Sequence, residues 1–257
     1  MKTLKSKVAT AAFALASTFA ATGSHAQGTT PSVVIVHGAF ADGSDWAKVV
    51  PRLQAEGVAV TVVQNPLTSL ADDVAATRRA LNNQPGKVVL VGHSWGGTVI
   101  TEAGNDEKVS ALVYVAAFAP EAGQTSGEQG KGAPTPPGIS QIKADANGFL
   151  YLTPEGMAKD FAQDLPVAQT AVMTATQGPI QASAFEDKTT VAAWKTKPSW
   201  YLLATEDRMI HPDVQRSAAK RIGATLAELP TSHVPQQSQP DAVAEVILEA
   251  VRSVGAQ

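Results

Sequence analysis

A serine lies between two glycines in a turn that joins a strand-like segment to a helix-like one. The turn reads Gly92-His93-Ser94-Trp95-Gly96 and follows the apolar run at 87–91. This G-x-S-x-G spacing is typical of a strained turn that projects a serine hydroxyl from the end of a strand. The two glycines omit the Cβ atoms that would collide as the chain doubles back. The pattern predicts a nucleophile at Ser94; a Gly-rich turn with an unreactive serine is the alternative.

A serine hydroxyl needs a general base, and the base needs an acid to orient it. Four histidines lie beyond residue 26: His37, His93, His211 and His233. We expect His37, at the end of the first strand, and His93, inside the turn, to be structural. His233 follows the last predicted strand and precedes the last predicted helix, whereas His211 begins a helix, where it caps or faces solvent. His233 is therefore the predicted base, with His211 as its rival.

An acidic pair, Glu206 and Asp207, follows the strand predicted at 199–204. The position in the motif favours Asp207 over Glu206 as the acid that orients the base. A surface salt bridge with Arg208 is the alternative role of Asp207. The resulting chain order is serine, aspartate, histidine. This is the order that accompanies a strand-turn-helix nucleophile.

Two backbone N–H groups are predicted to bind the negative oxygen of a tetrahedral intermediate. One belongs to Trp95, directly after the nucleophile, and the other to Ala39 in the turn at 37–40, where Gly38 allows close approach. The glycines at 92–97 lack the lysine of a phosphate-binding loop. The sequence shows no acid-rich metal cluster and has no cysteine. We therefore expect neither a metal nor a cofactor.

The first 26 residues have the pattern of a signal peptide. Three lysines precede an uncharged apolar run over Val8–Ala21, and Ser24-His25-Ala26 fits the small-x-small cleavage pattern. The run is too short for a spanning helix, so a membrane anchor is only the alternative. We expect a mature protein that begins at Gln27, is exported by a bacterium to the periplasm or the medium, and has no membrane contact after cleavage.

Length and composition limit the remaining possibilities. Residues 27–257 suffice for one α/β domain with its own core. The formal net charge is −3, and cleavage would remove lysines but no acid. An acidic chain argues against nucleic acid or an anionic membrane as a partner. The lack of cysteine excludes disulfides and thiolate nucleophiles. The oligomeric state is left open.

Strand and helix patterns alternate, which favours a mostly parallel sheet flanked by helices. Strands are predicted at 32–36, 58–63, 87–91, 109–116, 199–204 and 225–229. Helices are predicted at 46–55, 69–82, 95–104, 212–222 and 239–251.

The alternation breaks between the fourth and fifth predicted strands. Residues 121–197 are expected to form a helical cap over the carboxyl edge of the sheet, with short helices near 153–163, 166–176 and 180–194. A disordered linker is the alternative, but the apolar content of this segment argues against it. The candidate substrate contacts are aromatic and aliphatic side chains of the cap and of the first turn: Phe40, Phe149, Leu152, Phe161 and Trp194.

Together these motifs resemble the α/β-hydrolase superfamily, and within it the branch of plant methyl-ester esterases and hydroxynitrile lyases with their bacterial relatives. The resemblance covers nearly all of residues 27–257 and implies the α/β-hydrolase fold. It rests on Val36–Phe40 with Trp46, Gly92–Gly97, Val113–Pro120, Asp207-Arg208 with Pro212 and Gln215-Arg216, and Ser232-His233 with Ser238–Pro240.

The lyase members of that branch carry a threonine after the first strand's turn and a lysine directly after the catalytic histidine. Gly38 and Val234 stand at the matching positions here. The resemblance therefore favours a serine carboxylesterase that hydrolyses small, largely apolar esters through an acyl-enzyme. Two alternatives stay open. One is a lyase or an amide or lactone hydrolase on the same site, and the other is a non-catalytic small-molecule-binding protein of this fold.

Overall fold

The computed structural model describes residues 30–255 of the chain. The predicted signal peptide lies outside the described residues. At the centre is a six-stranded sheet, hydrogen-bonded in the order β2-β1-β3-β4-β8-β9 with every pairing parallel. Its strands are β1 (Ser32–Val36), β2 (Val60–Val63), β3 (Val88–His93), β4 (Val109–Val115), β8 (Ser199–Ala204) and β9 (Thr225–Leu229). The predicted mostly parallel sheet of the α/β-hydrolase fold is confirmed.

Helices cover both faces of this sheet. The α-helices are α1 (Val50–Ala55), α2 (Leu70–Asn82), α3 (Trp95–Ala103), α4 (Pro154–Gly156), α5 (Val167–Thr176), α6 (Pro212–Arg221), α7 (Pro235–Ser238) and α8 (Pro240–Gly255). Those outside the cap follow the predicted order. The first begins later than predicted because Gly43–Trp46 forms a separate 3-10 turn.

Successive side chains of each strand point to opposite faces of the sheet, and this divides the core into two layers. In β1, Val34 and Val36 pack with α2 and α3, whereas Val33 and Ile35 pack with α1 and α8. Both faces of β1, β3 and β8 are buried, which explains their unbroken apolar sequences. The helices thereby fix the carboxyl ends of the central strands, where the candidate site lies.

The cap at 121–197 is folded and contains a small sheet that the sequence pattern did not predict. Strands β5 (Ile142–Ala144), β6 (Phe149–Leu152) and β7 (Ile180–Gln181) pair antiparallel. Their short lengths leave little periodic signal, and the pairing partner of β6 on one side lies about 30 residues along the chain.

Two of the three predicted cap helices are present. Helix α4 continues into a π-helical turn at Met157–Phe161, and α5 matches the predicted helix at 166–176. The predicted helix at 180–194 is wrong: the segment forms β7 and two 3-10 turns at Ala182–Glu186 and Ala193–Lys195. Pairing of Ile180 with Leu150, a tertiary contact, outweighs the local helical tendency.

In the part of the chain that is described, no helix combines the length and apolar character needed to cross a membrane.

Candidate active site

Ser94 joins β3 to α3 in a strained backbone conformation, with φ 53° and ψ −120°. A non-glycine residue in this region costs about 1–3 kcal/mol and persists only where its surroundings enforce it. Gly96 is part of that enforcement, because a Cβ atom there would lie 2.4 Å from the carbonyl oxygen of Val36. The turn therefore holds the Ser94 hydroxyl at the end of β3, where the residue keeps a small exposed fraction of 7%.

His233 and Asp207 continue a chain of hydrogen bonds from Ser94. Ser94 Oγ lies 2.8 Å from His233 Nε2, and His233 Nδ1 lies 2.7 Å from Asp207 Oδ2. A carboxylate can only accept, so His233 carries its proton on Nδ1 and leaves Nε2 free to accept from the serine hydroxyl. The three side chains come from the turns after β3, β8 and β9. This arrangement can draw the proton from Ser94 as the oxygen attacks an electrophile.

Four donors converge on the Asp207 carboxylate. Its Oδ1 accepts from the N–H groups of Met209 at 2.7 Å and Ile210 at 2.9 Å. Its Oδ2 accepts from His233 and from Gln215 Nε2 at 2.7 Å. These donors fix the direction of the carboxylate. In the sequence, Gln215 stood out only through the resemblance, yet its side chain donates directly to Asp207. Its place in the first turn of α6, the helix that follows Asp207, is the available signal.

The turn after β1 lies directly against the serine. A Cβ atom on Gly38 would lie 2.7 Å from the Cβ atom of Ser94, so only glycine fits without a shift. The structure places Ala39 next in this turn and Phe40 after it with φ 59°. Among the described residues, no acceptor pairs with the N–H of Ala39. Trp95 begins α3, and the first N–H groups of a helix have no partner within it.

A buried carboxylate that sequence reasoning missed anchors Trp95. Asp73 Oδ2 accepts from Trp95 Nε1 at 2.8 Å, and Oδ1 accepts from the N–H of Leu67 at 2.8 Å. Burial raises the pKa of Asp73 to about 6, although its two donors oppose the shift. Phe185 of the cap packs edge-on against the Trp95 indole. Trp95, the residue that follows Ser94, is thus held by the fold and by the cap.

A second buried carboxyl group links the loop after β1 to the segment that follows His233. The side chain of Asp45 accepts from Gln236 Nε2 at 3.4 Å and from Gln237 Nε2 at 3.3 Å. Burial raises the pKa of Asp45 to about 7, while these amide donors lower it in part. The glutamines lie in α7, directly after the histidine turn. Asp45 therefore connects the loop of Ala39 with the loop of the predicted base.

The other histidines have separate partners. His37 Nε2 accepts from the N–H of Asn65 at 3.0 Å, and burial lowers the pKa of His37. His211 Nδ1 accepts from the N–H of Asp213 at 3.2 Å and caps α6. The structure thus brings His233, not His211, to the serine.

A cavity of about 370 Å³ lies between the cap and the loops that follow β4 and β8, and Ser94, His233 and Asp207 are not among its lining residues. Two of its lining residues bond to the site through their backbone N–H groups: Phe118 donates to the carbonyl oxygen of Ser94, and Ile210 donates to Asp207. Most lining side chains are apolar, among them Phe118, Ile139, Ile142, Leu150, Met209 and Val214. The cavity can hold an apolar group, and these two backbone contacts connect its wall to the loops of Ser94 and Asp207.

The five predicted substrate contacts occupy different places, and none is among the residues that line this cavity. Phe161 packs edge-on against the His233 ring with 5.0 Å between centroids. Trp194 Nε1 donates to the carbonyl oxygen of Pro120, and Leu152 is fully buried. Phe40 is buried and Phe149 is half-buried on β6. A role for these residues in substrate binding stays a prediction.

Residues 33–246 match the alpha/beta hydrolase family, and the chain belongs to that family. It is 27% identical over 255 residues to a pyrethroid hydrolase of Sphingobium wenxiniae, covering 86% of this chain and 88% of that protein. It is 25% identical over 247 residues to methylesterase 2 of Arabidopsis thaliana, covering 84% and 94%.

Solved structures share the fold. The pyrethroid hydrolase PytH superposes with a TM-score of 0.75 at 23% identity, covering 88% of this chain and 98% of that one. Polyneuridine aldehyde esterase superposes with a TM-score of 0.74 at 20% identity, covering 86% and 99%. The resemblance drawn from the motifs, to the branch that includes plant methyl-ester esterases, is confirmed.

Proposed function

We propose that this protein is a serine carboxylesterase that uses Ser94, His233 and Asp207 as a catalytic triad. The observation that carries the proposal is the chain of hydrogen bonds from Ser94 Oγ to Asp207 Oδ2, with links of 2.8 Å and 2.7 Å. Names of relatives support the ester as substrate, since they include a pyrethroid hydrolase and methylesterases.

Acylation begins when Ser94 Oγ attacks the carbonyl carbon of the ester. His233 Nε2 takes the hydroxyl proton, and Asp207 stabilises the resulting imidazolium through Nδ1. The carbonyl oxygen becomes negative and accepts from the N–H groups of Ala39 and Trp95, which need no rearrangement at that moment. The intermediate then expels the alkoxide, which His233 protonates to the free alcohol. Ser94 is left as an ester of the acyl group.

Deacylation repeats these steps with water. His233 Nε2 takes a proton from water as its oxygen attacks the acyl carbon, and the same two N–H groups bind the oxyanion. Collapse releases the carboxylic acid and returns the proton to Ser94. Protons move only between water, substrate and side chains already in place.

The substrate that fits is an ester with a compact, largely apolar group. The cavity beside Phe118 and Ile210 is mostly apolar and measures about 370 Å³. Volumes in this range suit small-molecule ligands. Val234 and Gly38 favour hydrolysis over the lyase reaction: the first offers no ammonium group, and the second has no room for a threonine side chain.

Turnover of p-nitrophenyl acetate, with a serine-directed fluorophosphonate as inhibitor, tests the proposal. We expect hydrolysis by the wild-type protein, stoichiometric labelling of Ser94, and a loss of about a thousandfold or more in kcat for Ser94→Ala. Parallel amide, lactone and cyanohydrin substrates separate esterase from the related reactions. Binding of substrate without turnover or labelling would instead identify a non-catalytic binding protein.

A further inference from the structure

One segment of the cap touches the loops of both the proposed acid and the proposed base. It comprises the π-helical turn Met157–Phe161 and the residues up to Asp164. Asp160 Oδ1 accepts from Arg208 Nε at 2.7 Å. Gln163 Nε2 donates to the carbonyl oxygen of Glu206 at 2.7 Å.

The same segment continues onto the histidine loop. Asp164 Oδ2 accepts from the N–H of Ser232 at 2.9 Å, and the Phe161 ring lies edge-on against His233. Glu206 and Arg208 are the chain neighbours of Asp207, and Ser232 is the chain neighbour of His233. The hydrogen bonds therefore fall on the residues directly before or after the proposed catalytic groups, and Phe161 contacts His233 itself.

Two of these contacts use main-chain groups, the carbonyl of Glu206 and the N–H of Ser232. A bond to the main chain fixes the loop itself, from which the catalytic side chain projects. Catalytic groups lose efficiency steeply when displaced, by about a hundredfold for a shift near 1 Å. A π-helical turn is rare and is often found at functional sites.

We propose that the cap segment Asp160–Asp164 positions Asp207 and His233. The cap then contributes to the rate of the chemical step and not only to substrate selection. The inference rests on the triad proposed above. The residues of this segment act through the two loops and, in the case of Phe161, through the His233 ring. A positioning role predicts a loss in kcat, whereas a role in the substrate pocket alone predicts a change in KM.

Substitutions of Asp164 give the most direct test, because one replacement removes the oxygen that accepts from Ser232 and another keeps it. Asp164→Ala removes the acceptor for Ser232, and we expect kcat to fall roughly tenfold or more with KM within about twofold. Asp164→Asn keeps an oxygen that accepts from the same N–H, so kcat should recover to within about threefold of wild type. Glu155→Gln is the matched control. It breaks an exposed ion pair with Lys159 in the same part of the cap and should leave kcat and KM unchanged.

Thermal unfolding shows whether each variant is folded at the assay temperature. If Asp164→Ala is not, Gln163→Ala decides, because that change removes the bond to Glu206 from a partly exposed side chain. Wild-type kcat in the folded Ala variant, or a loss confined to KM, would overturn the inference. Failure of the proposed function looks different: the wild-type protein would then show no turnover that depends on Ser94, and both proposals would fall.

Discussion

The Nε2 atom of His93 lies 2.8 Å from the carbonyl oxygen of His233. A carbonyl only accepts, so the proton of the His93 imidazole sits on Nε2. Burial lowers the pKa of His93 well below its ordinary value, and the neighbouring His233 lowers it further. The neutral ring therefore connects the turn of Ser94 to the backbone of the predicted base.

His93→Leu should weaken catalysis without removing any proposed catalytic group. The carbonyl of His233 would lose its donor in a buried place, which costs about 1–3 kcal/mol and frees the histidine loop to shift. We expect kcat for p-nitrophenyl acetate to fall about tenfold. His93→Gln, which can still donate from a side-chain amide, should recover part of the loss. Equal rates for Leu and Gln variants would show that the hydrogen bond does not matter.

The assignment of the base is tested by comparing two alanine variants. His233→Ala should lower kcat by about a thousandfold, since no other side chain of residues 30–255 is hydrogen-bonded to Ser94 Oγ. His211→Ala removes the cap of α6, so it should cost about 1 kcal/mol of unfolding free energy and leave kcat within a few-fold. Steady-state kinetics and thermal unfolding of both proteins measure this. The opposite kinetic pattern would reassign the base.

Selectivity for the acyl chain length of the ester should depend on Leu150 and not on its neighbour Phe149. Leu150 lines the cavity, and successive strand residues point to opposite faces. Leu150→Ala should change the ratio of kcat/KM between short and long p-nitrophenyl esters by about tenfold. Phe149→Ala is the control with the same ester series. A shift in the Phe149 variant alone would support the prediction from sequence and place the acyl group elsewhere.

Stability should fall as the pH rises because of Asp45. Its pKa is raised to about 7 in the fold from an ordinary value of 3.8, so the fold favours the neutral carboxyl. The unfolded chain loses this proton first, and stability declines from about pH 4 until about pH 7, then stays level. Asp45→Asn should therefore raise Tm at pH 8, by roughly 10 °C at most, and much less at pH 5. Calorimetry on both proteins at the two pH values tests it; an equal shift at both would exclude titration of Asp45.

We also propose that the protein is exported, on the pattern of residues 1–26, which lie outside the described residues. Expression with its own N-terminus in a Gram-negative host should give a periplasmic protein that starts at Gln27. Mass spectrometry of the intact protein reads the start directly. Ala26→Asp removes the small residue at the cleavage position and should leave the leader attached. A soluble cytoplasmic product that keeps residues 1–26 would contradict the proposed export.

Local sequence signals were sufficient wherever one short motif determines one turn. The glycines around Ser94 predicted a strand, a tight turn and a helix, and the structure has them because a larger side chain at Gly96 would collide with Val36. The order of serine, aspartate and histidine also located two further side chains, which the structure brings within hydrogen-bond distance.

Contacts made across the fold were not predictable in this way. In the sequence, Asp73 looks like a surface acid at the start of a helix, and Asp45 looks like one in a polar loop. Both are buried instead, Asp73 against Trp95 and Asp45 against Gln237. The cap sheet escaped prediction for the same reason. Its β7 strand has two residues, and only pairing with Leu150 makes it a strand.

The pairing of β4 with β8 across the cap has a consequence for synthesis. Ser94 belongs to the part of the chain made first, whereas Asp207 and His233 follow the cap and are made last. An incomplete chain thus contains the serine turn but neither the acid nor the base. Under the proposed mechanism, reactivity toward esters can therefore arise only once the carboxyl-terminal strands have joined the sheet.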